Sequence, residues 1–89
     1  MNTAFILMAR HDALPVIPLA VVAKDYFDMT EKTFVSKLDK REIDLPVVRM
    51  ERASQKTAKG VHLTDLAAYI DARHAAAKKE HEAFARARH

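Results

Sequence analysis

The chain has 89 residues, with 15 Lys and Arg against 12 Asp and Glu, a single glycine and no cysteine. A chain this short closes one hydrophobic core and not two, and so small a core outweighs chain entropy by a thin margin, which makes pairing with a second copy an expectation. The missing cysteines exclude disulfides and thiolate zinc ligands and fit a reducing cytoplasm, while a net charge of +3 indicates solubility rather than a particular partner.

Asn2 to Arg10 carries Phe5, Ile6, Leu7 and Met8 in succession, so neither a period of two nor one of 3.6 is legible. Burial on more than one side is expected, as a strand joining a sheet of this subunit or its partner, with a short helix as the competing reading. His11 to Pro15 reads as a turn. Pro18 suits the first position of a helix, where its missing N–H has no partner to lose. From there Leu19, Val22, Ala23, Tyr26 and Phe27 fall at i, i+3, i+4, i+7 and i+8, the stripe of an amphipathic helix. Neither early apolar run, Ala4 to Ala9 or the proline-interrupted Ala13 to Ala23, is long enough to span a membrane, so a soluble, intracellular protein without a membrane partner is expected.

Asp28 and Met29 break the pattern. Thr30 then caps a second helix whose first turn carries Glu31, at the connection length of a helix-turn-helix but without the glycine such turns often contain. On this helix, expected over Thr30 to Arg41, Phe34, Val35, Leu38 and the stem of Arg41 point inward. At about 100° per residue, Lys32, Thr33, Ser36 and Lys40 point outward with Lys37 on the flank. A basic, hydroxylic face of this kind reaches phosphates and base edges in a major groove, although an ordinary solvated face has a similar composition.

Pro46 to Glu51 is extended by its residue types, a proline followed by two β-branched valines. Between Arg49 and Lys59 the bases Arg49, Arg52, Lys56 and Lys59 face the single acid Glu51, with Ser54 and Gln55 among them. Gly60 reads as the turn residue where a positive φ costs least. A short apolar run follows, with a strand expected near Gly60 to Leu63, and Thr64 caps a helix expected to run to about Arg86. Its seam of Leu66, Ile70, Ala77 and Phe84 follows an approximate heptad and is read as a dimer contact, with a frayed, basic tail as the other reading. Strand, basic loop, strand, helix after a helix-turn-helix is the layout of a winged DNA-binding domain. The expected fold is therefore α+β, a winged helix-turn-helix over residues 1–73, with residues 74–89 a basic, alanine-rich extension of the last helix. The DNA-contacting set is Lys32, Thr33, Ser36, Lys37 and Lys40 on the helix and Arg49, Arg52, Ser54, Gln55, Lys56 and Lys59 on the hairpin.

Catalysis is not expected. His11, His62, His74, His81 and His89 lack the i, i+4 pairing with a third ligand of a helix-borne zinc site, Glu42 and Glu51 have no evident cleft around them, and one glycine cannot build a phosphate-cradling loop. No metal and no cofactor is implied.

The opening MNTAFILMAR, the central EIDLPVVRMERASQKTAKGVHLTDLAAYIDAR and the DYF that ends the first amphipathic helix resemble the pyocin activator protein family, the PrtN-type transcriptional activators of bacteria and their prophages. LPVVR, SQK and GVHLTDLAAYID stand in the same order and spacing, and the resemblance covers about residues 1 to 73. It implies a small protein that binds repeated double-stranded DNA elements near promoters in the bacterial nucleoid and switches on bacteriocin or phage-type genes, with RNA polymerase as a further partner. Two other readings stand beside it: an excisionase-like architectural protein that bends DNA, and a phage-encoded module that binds another protein through Phe5 to Met8 or the last helix.

Overall fold

A computed structural model of the chain describes residues 2–51 and 58–87. The elements run α1 (Thr3–Arg10), β1 (Val16–Pro18), α2 (Leu19–Phe27), α3 (Glu31–Asp39), β2 (Val48–Arg49), β3 (Lys59–His62) and α4 (Leu63–Ala87). The fold is α+β: four helices and one antiparallel sheet of three short strands in the order β1-β3-β2.

The first segment is a helix and not the expected strand. Asn2 caps it, its side chain accepting from the Ala4 amide at 2.8 Å, and the Ala, Leu, Met and Arg among its residues are good helix formers. Nor is the segment buried on several sides. Leu7 enters the core with Ala4 packed against it, while Phe5, Ile6 and Met8 are 68%, 49% and 41% exposed. α1 ends in a turn where Asp12 and Ala13 take positive φ of 54° and 60°. There His11 is buried, its Nε2 2.6 Å from the Tyr26 hydroxyl, which ties the end of α1 to α2.

The third strand of the sheet comes from Val16–Pro18 instead. Pro18 closes this edge strand and stands one residue before α2, and the edge position tolerates its missing N–H. The strand expected near Gly60 to Leu63 is present as β3, and Gly60 lies within it instead of in a positive-φ turn: it pairs with Pro18 on one side and Val48 on the other, and its φ is not positive. Its lack of a side chain is used for close approach. A Cβ here would meet the Ile17 carbonyl oxygen at 2.5 Å and Val16 Cγ1 at 2.6 Å.

α2 and α3 follow the predicted stripes. Leu19, Val22 and Ala23 are buried from α2, Phe34 and Leu38 from α3, and the rings of Phe27 and Phe34 lie 5.0 Å apart. Thr30 caps α3 as expected, accepting from the Thr33 amide at 3.2 Å. The connection needs a left-handed residue, and Asp28 supplies it at φ 51° where glycine is more usual. Arg41, whose stem was expected to point inward, is exposed just past α3 with φ 61°. Ile43 and Leu45, from the connection after it, fill the core in its place.

α4 begins at Leu63, one residue before the expected cap. His62 takes the capping role, its Nδ1 accepting from the Thr64 amide at 3.2 Å. Leu63, Leu66 and Ala67 are buried and Tyr69 and Ile70 half-buried. Phe34, Ile17, Leu66, Val22 and Val61 are fully enclosed, each contributing about 1.5 to 3 kcal/mol through its burial. Past Arg73, every described residue of α4 except the half-buried Ala76 is exposed, so the helix leaves the core as an arm.

Candidate nucleic-acid interface

The surface of α3 follows from its wheel. With Phe34 and Leu38 locked in the core, Lys32, Ser36 and Lys40 form the row farthest from it, and all three are exposed. Thr33 is exposed beside them, yet it is engaged: its amide and its hydroxyl both lie against Thr30 Oγ1, the hydroxyl at 3.0 Å. Lys37 is half-buried, and its Nζ lies 3.7 Å from Glu42 Oε2, so part of its charge is already answered. Lys32, Ser36 and Lys40 are thus the most available of the five predicted helix positions.

The sheet contributes a second basic group. β2 and β3 pair with Arg49 directly opposite Lys59. Two like charges at directly opposed positions repel, at a cost of a few tenths to about 1 kcal/mol. Arg49, Lys59 and Arg41 line one cleft with Val35, Leu38 and Asp39 of α3, and among the described residues none of the three cations forms an ion pair. A neighbouring cleft joins Glu31 and Val35 of α3 to Met50, Ala58 and Lys59 of the hairpin. Val35 and Lys59 belong to both, so α3 and the hairpin border one continuous trough.

Arg52, Ser54, Gln55 and Lys56 lie outside the described residues. Of the seam assigned to a dimer contact, Leu66 is fully buried in the chain's own core and Ile70 packs against that core, whereas Ala77 and Phe84 are exposed on the arm. Of the trough's lining only Arg49 and Lys59 were singled out as contact residues from the sequence; Arg41, Glu31, Val35 and Met50 were not. The i, i+4, i+8 row of Glu31, Val35 and Asp39 was a legible signal that these positions share one side of α3. Arg41 was missed because a helix stripe was extended two residues past the end of α3 at Asp39, onto the residue where the backbone turns left-handed.

Tyr26, at the far side of α2, has its phenol pKa raised above 10.0, mainly by burial, with Arg10 lowering it and Asp25 raising it. Among the described residues there is no group of three His, Cys, Asp or Glu able to hold a metal ion, and no helix long and apolar enough to cross a membrane.

No curated protein and no solved structure matches the chain in the comparisons made. The family model for pyocin activator protein PrtN matches residues 3–77, which takes in every element from α1 through the first half of α4 and leaves out the end of the arm. By that match the chain belongs to the pyocin activator protein (PrtN) family.

Proposed function

We propose that this protein is a sequence-specific, double-stranded-DNA-binding transcriptional activator of bacteriocin or phage-type genes. In this reading the fold is a winged helix-turn-helix, with α3 in the major groove and the β2–β3 hairpin against the backbone or minor groove. The observation that carries it is the cleft of Arg41, Arg49 and Lys59. Three cations, two of them cross-strand neighbours, share it with the single carboxylate of Asp39, and among the described residues none of the three forms an ion pair; Lys32, Ser36 and Lys40 are exposed on the same helix as Asp39 or at its end. Such an arrangement costs stability in the free protein and is relieved by a phosphate. Element order, the sheet order β1-β3-β2 and membership of an activator family support the same conclusion.

The protein acts without catalysis, metal or cofactor, as a homodimer at the nucleoid, with RNA polymerase as the partner through which binding becomes activation. Charge and base reading divide between hairpin and helix. Lys59→Ala weakens binding to specific and random DNA alike and lowers the salt slope by about one. Ser36→Ala costs about 1 to 3 kcal/mol on the specific site and leaves random DNA less affected. Salt titrations of both variants on both DNAs test this, and equal proportional losses on the two DNAs by both variants would remove α3 as the reading element.

A further inference from the structure

The trough between α3 and the hairpin has two chemically different halves. Arg41, Arg49 and Lys59 crowd one half. The other is lined by Val16, Pro18, Val35, Met50 and Glu31, with Lys59 common to both. Met50 is 66% exposed, a large apolar side chain held in solvent at the base of the hairpin. Glu31 and Val35 are one turn apart on α3 and so lie on the same row, next to the outermost row of Lys32 and Ser36. The cationic half sets three cations against the carboxylate of Asp39 and suits a phosphate; this one has only Lys59, at the border the two share, against Glu31 and is otherwise apolar, so it suits a phosphate poorly.

Base edges do fit. An ionised carboxylate only accepts hydrogen bonds. In the major groove guanine offers two acceptors, and adenine sets an acceptor, N7, beside its amino group. Cytosine offers its N4 amino group alone, and thymine adds an apolar methyl. Resting on the DNA-binding reading above, we infer that the Glu31–Val35–Met50 half of the trough is a pyrimidine-reading subsite: Glu31 accepts from a cytosine amino group while Val35 and Met50 enclose the methyl of an adjacent thymine.

The test begins with selection of bound sequences from a random DNA pool by the wild-type protein, by Glu31→Gln and by Met50→Ala. Both altered side chains are exposed and the Thr30 cap is untouched, so the variants keep the fold, which circular dichroism checks. The wild type enriches a cytosine beside a thymine. Glu31→Gln loses that cytosine preference by about tenfold with the rest of the motif intact. Replacing the adjacent thymine by deoxyuridine, which removes only the methyl, weakens wild-type binding about fourfold, the worth of one buried methyl-sized group, and leaves Met50→Ala unaffected. An unchanged cytosine preference in Glu31→Gln, or an equal deoxyuridine penalty in wild type and Met50→Ala, overturns the subsite while leaving the DNA-binding reading in place. A wild type that enriches no motif overturns that reading and the subsite together.

Discussion

Substituting Gly60 by alanine tests the account of the sheet more sharply than any core truncation, because the clash falls on backbone. The added methyl would sit 2.5 Å from the Ile17 carbonyl oxygen, 2.6 Å from Val16 Cγ1 and 3.0 Å from the Ile17 carbonyl carbon, where ordinary contact begins near 3.4 Å. Strand β1 therefore has to move by nearly an ångström, and it is held there by pairing of Val16, Ile17 and Pro18 with His62, Val61 and Gly60. Overpacking of this kind costs about 1 to 3 kcal/mol, and weakening even one ladder bond adds about 1 kcal/mol. A total of about 3 kcal/mol in a domain this size lowers Tm by about 12 to 24 °C. Thermal unfolding followed by circular dichroism measures this directly. The double variant Val16→Ala/Gly60→Ala removes the side-chain clash but not the carbonyl clash, and should recover less than half of the loss. A Gly60→Ala protein melting within about 4 °C of wild type would refute the reasoning, since it would mean β1 yields freely.

Ala13 sits at φ 60° with no side-chain atom able to ease the strain, so Ala13→Gly should stabilise by about 0.5 to 1 kcal/mol, seen as a higher urea midpoint at unchanged slope. Arg49→Ala should raise stability slightly, by a few tenths of a kcal/mol, through relief of the repulsion with Lys59, while weakening binding to all DNA; a variant that loses stability and keeps its affinity contradicts the phosphate role. The Tyr26 phenol has a raised folded-state pKa, so its contribution to stability is fully present below pH 10 and is lost as pH rises through that higher folded value. Unfolding titrations of wild type and Tyr26→Phe should accordingly diverge below pH 10 and converge above it. A chain ending after Arg73 keeps every buried residue of α4 and should sediment as a smaller oligomer; if it remains a full dimer, the contact lies elsewhere, with the exposed Phe5, Ile6 and Met8 of α1 the next surface to alter.

The helices α2 and α3 were legible because their signals are local. The stripe from Leu19 to Phe27, the Thr30 cap and the Phe34–Leu38 pair each lie within one or two turns, and each appears where the periodicity placed it. The segments that were misread depend on contacts made far away in the chain. Asn2 to Arg10 has no apolar period because only Leu7 and Ala4 of its apolar residues join the core, and α1 packs against α4, which comes from the last third of the sequence. β1 is three residues with a proline, too short to show alternation, and exists because β3 is there to pair with it. Gly60 was read as a turn by its residue type, whereas the reason for glycine is the Ile17 carbonyl, which no local pattern reveals. In the candidate interface, charge was legible and engagement was not: nothing in the spacing of Thr33 and Lys37 indicates that the first serves the Thr30 cap and the second answers Glu42.

The pairing of Val16 with His62 also fixes the order in which the molecule can be made. α2 and α3 emerge early during synthesis, but the strand beside α2 has nothing to pair with until β3 follows, and Leu63 then closes the loop by donating its amide to the Pro15 carbonyl at 2.8 Å. Folding therefore waits on a long-range closure whose entropy is lost before its contacts form, and the helices are marginal until it happens. A nascent chain released before Val61 holds the whole sequence of α3 but no sheet to fix its orientation.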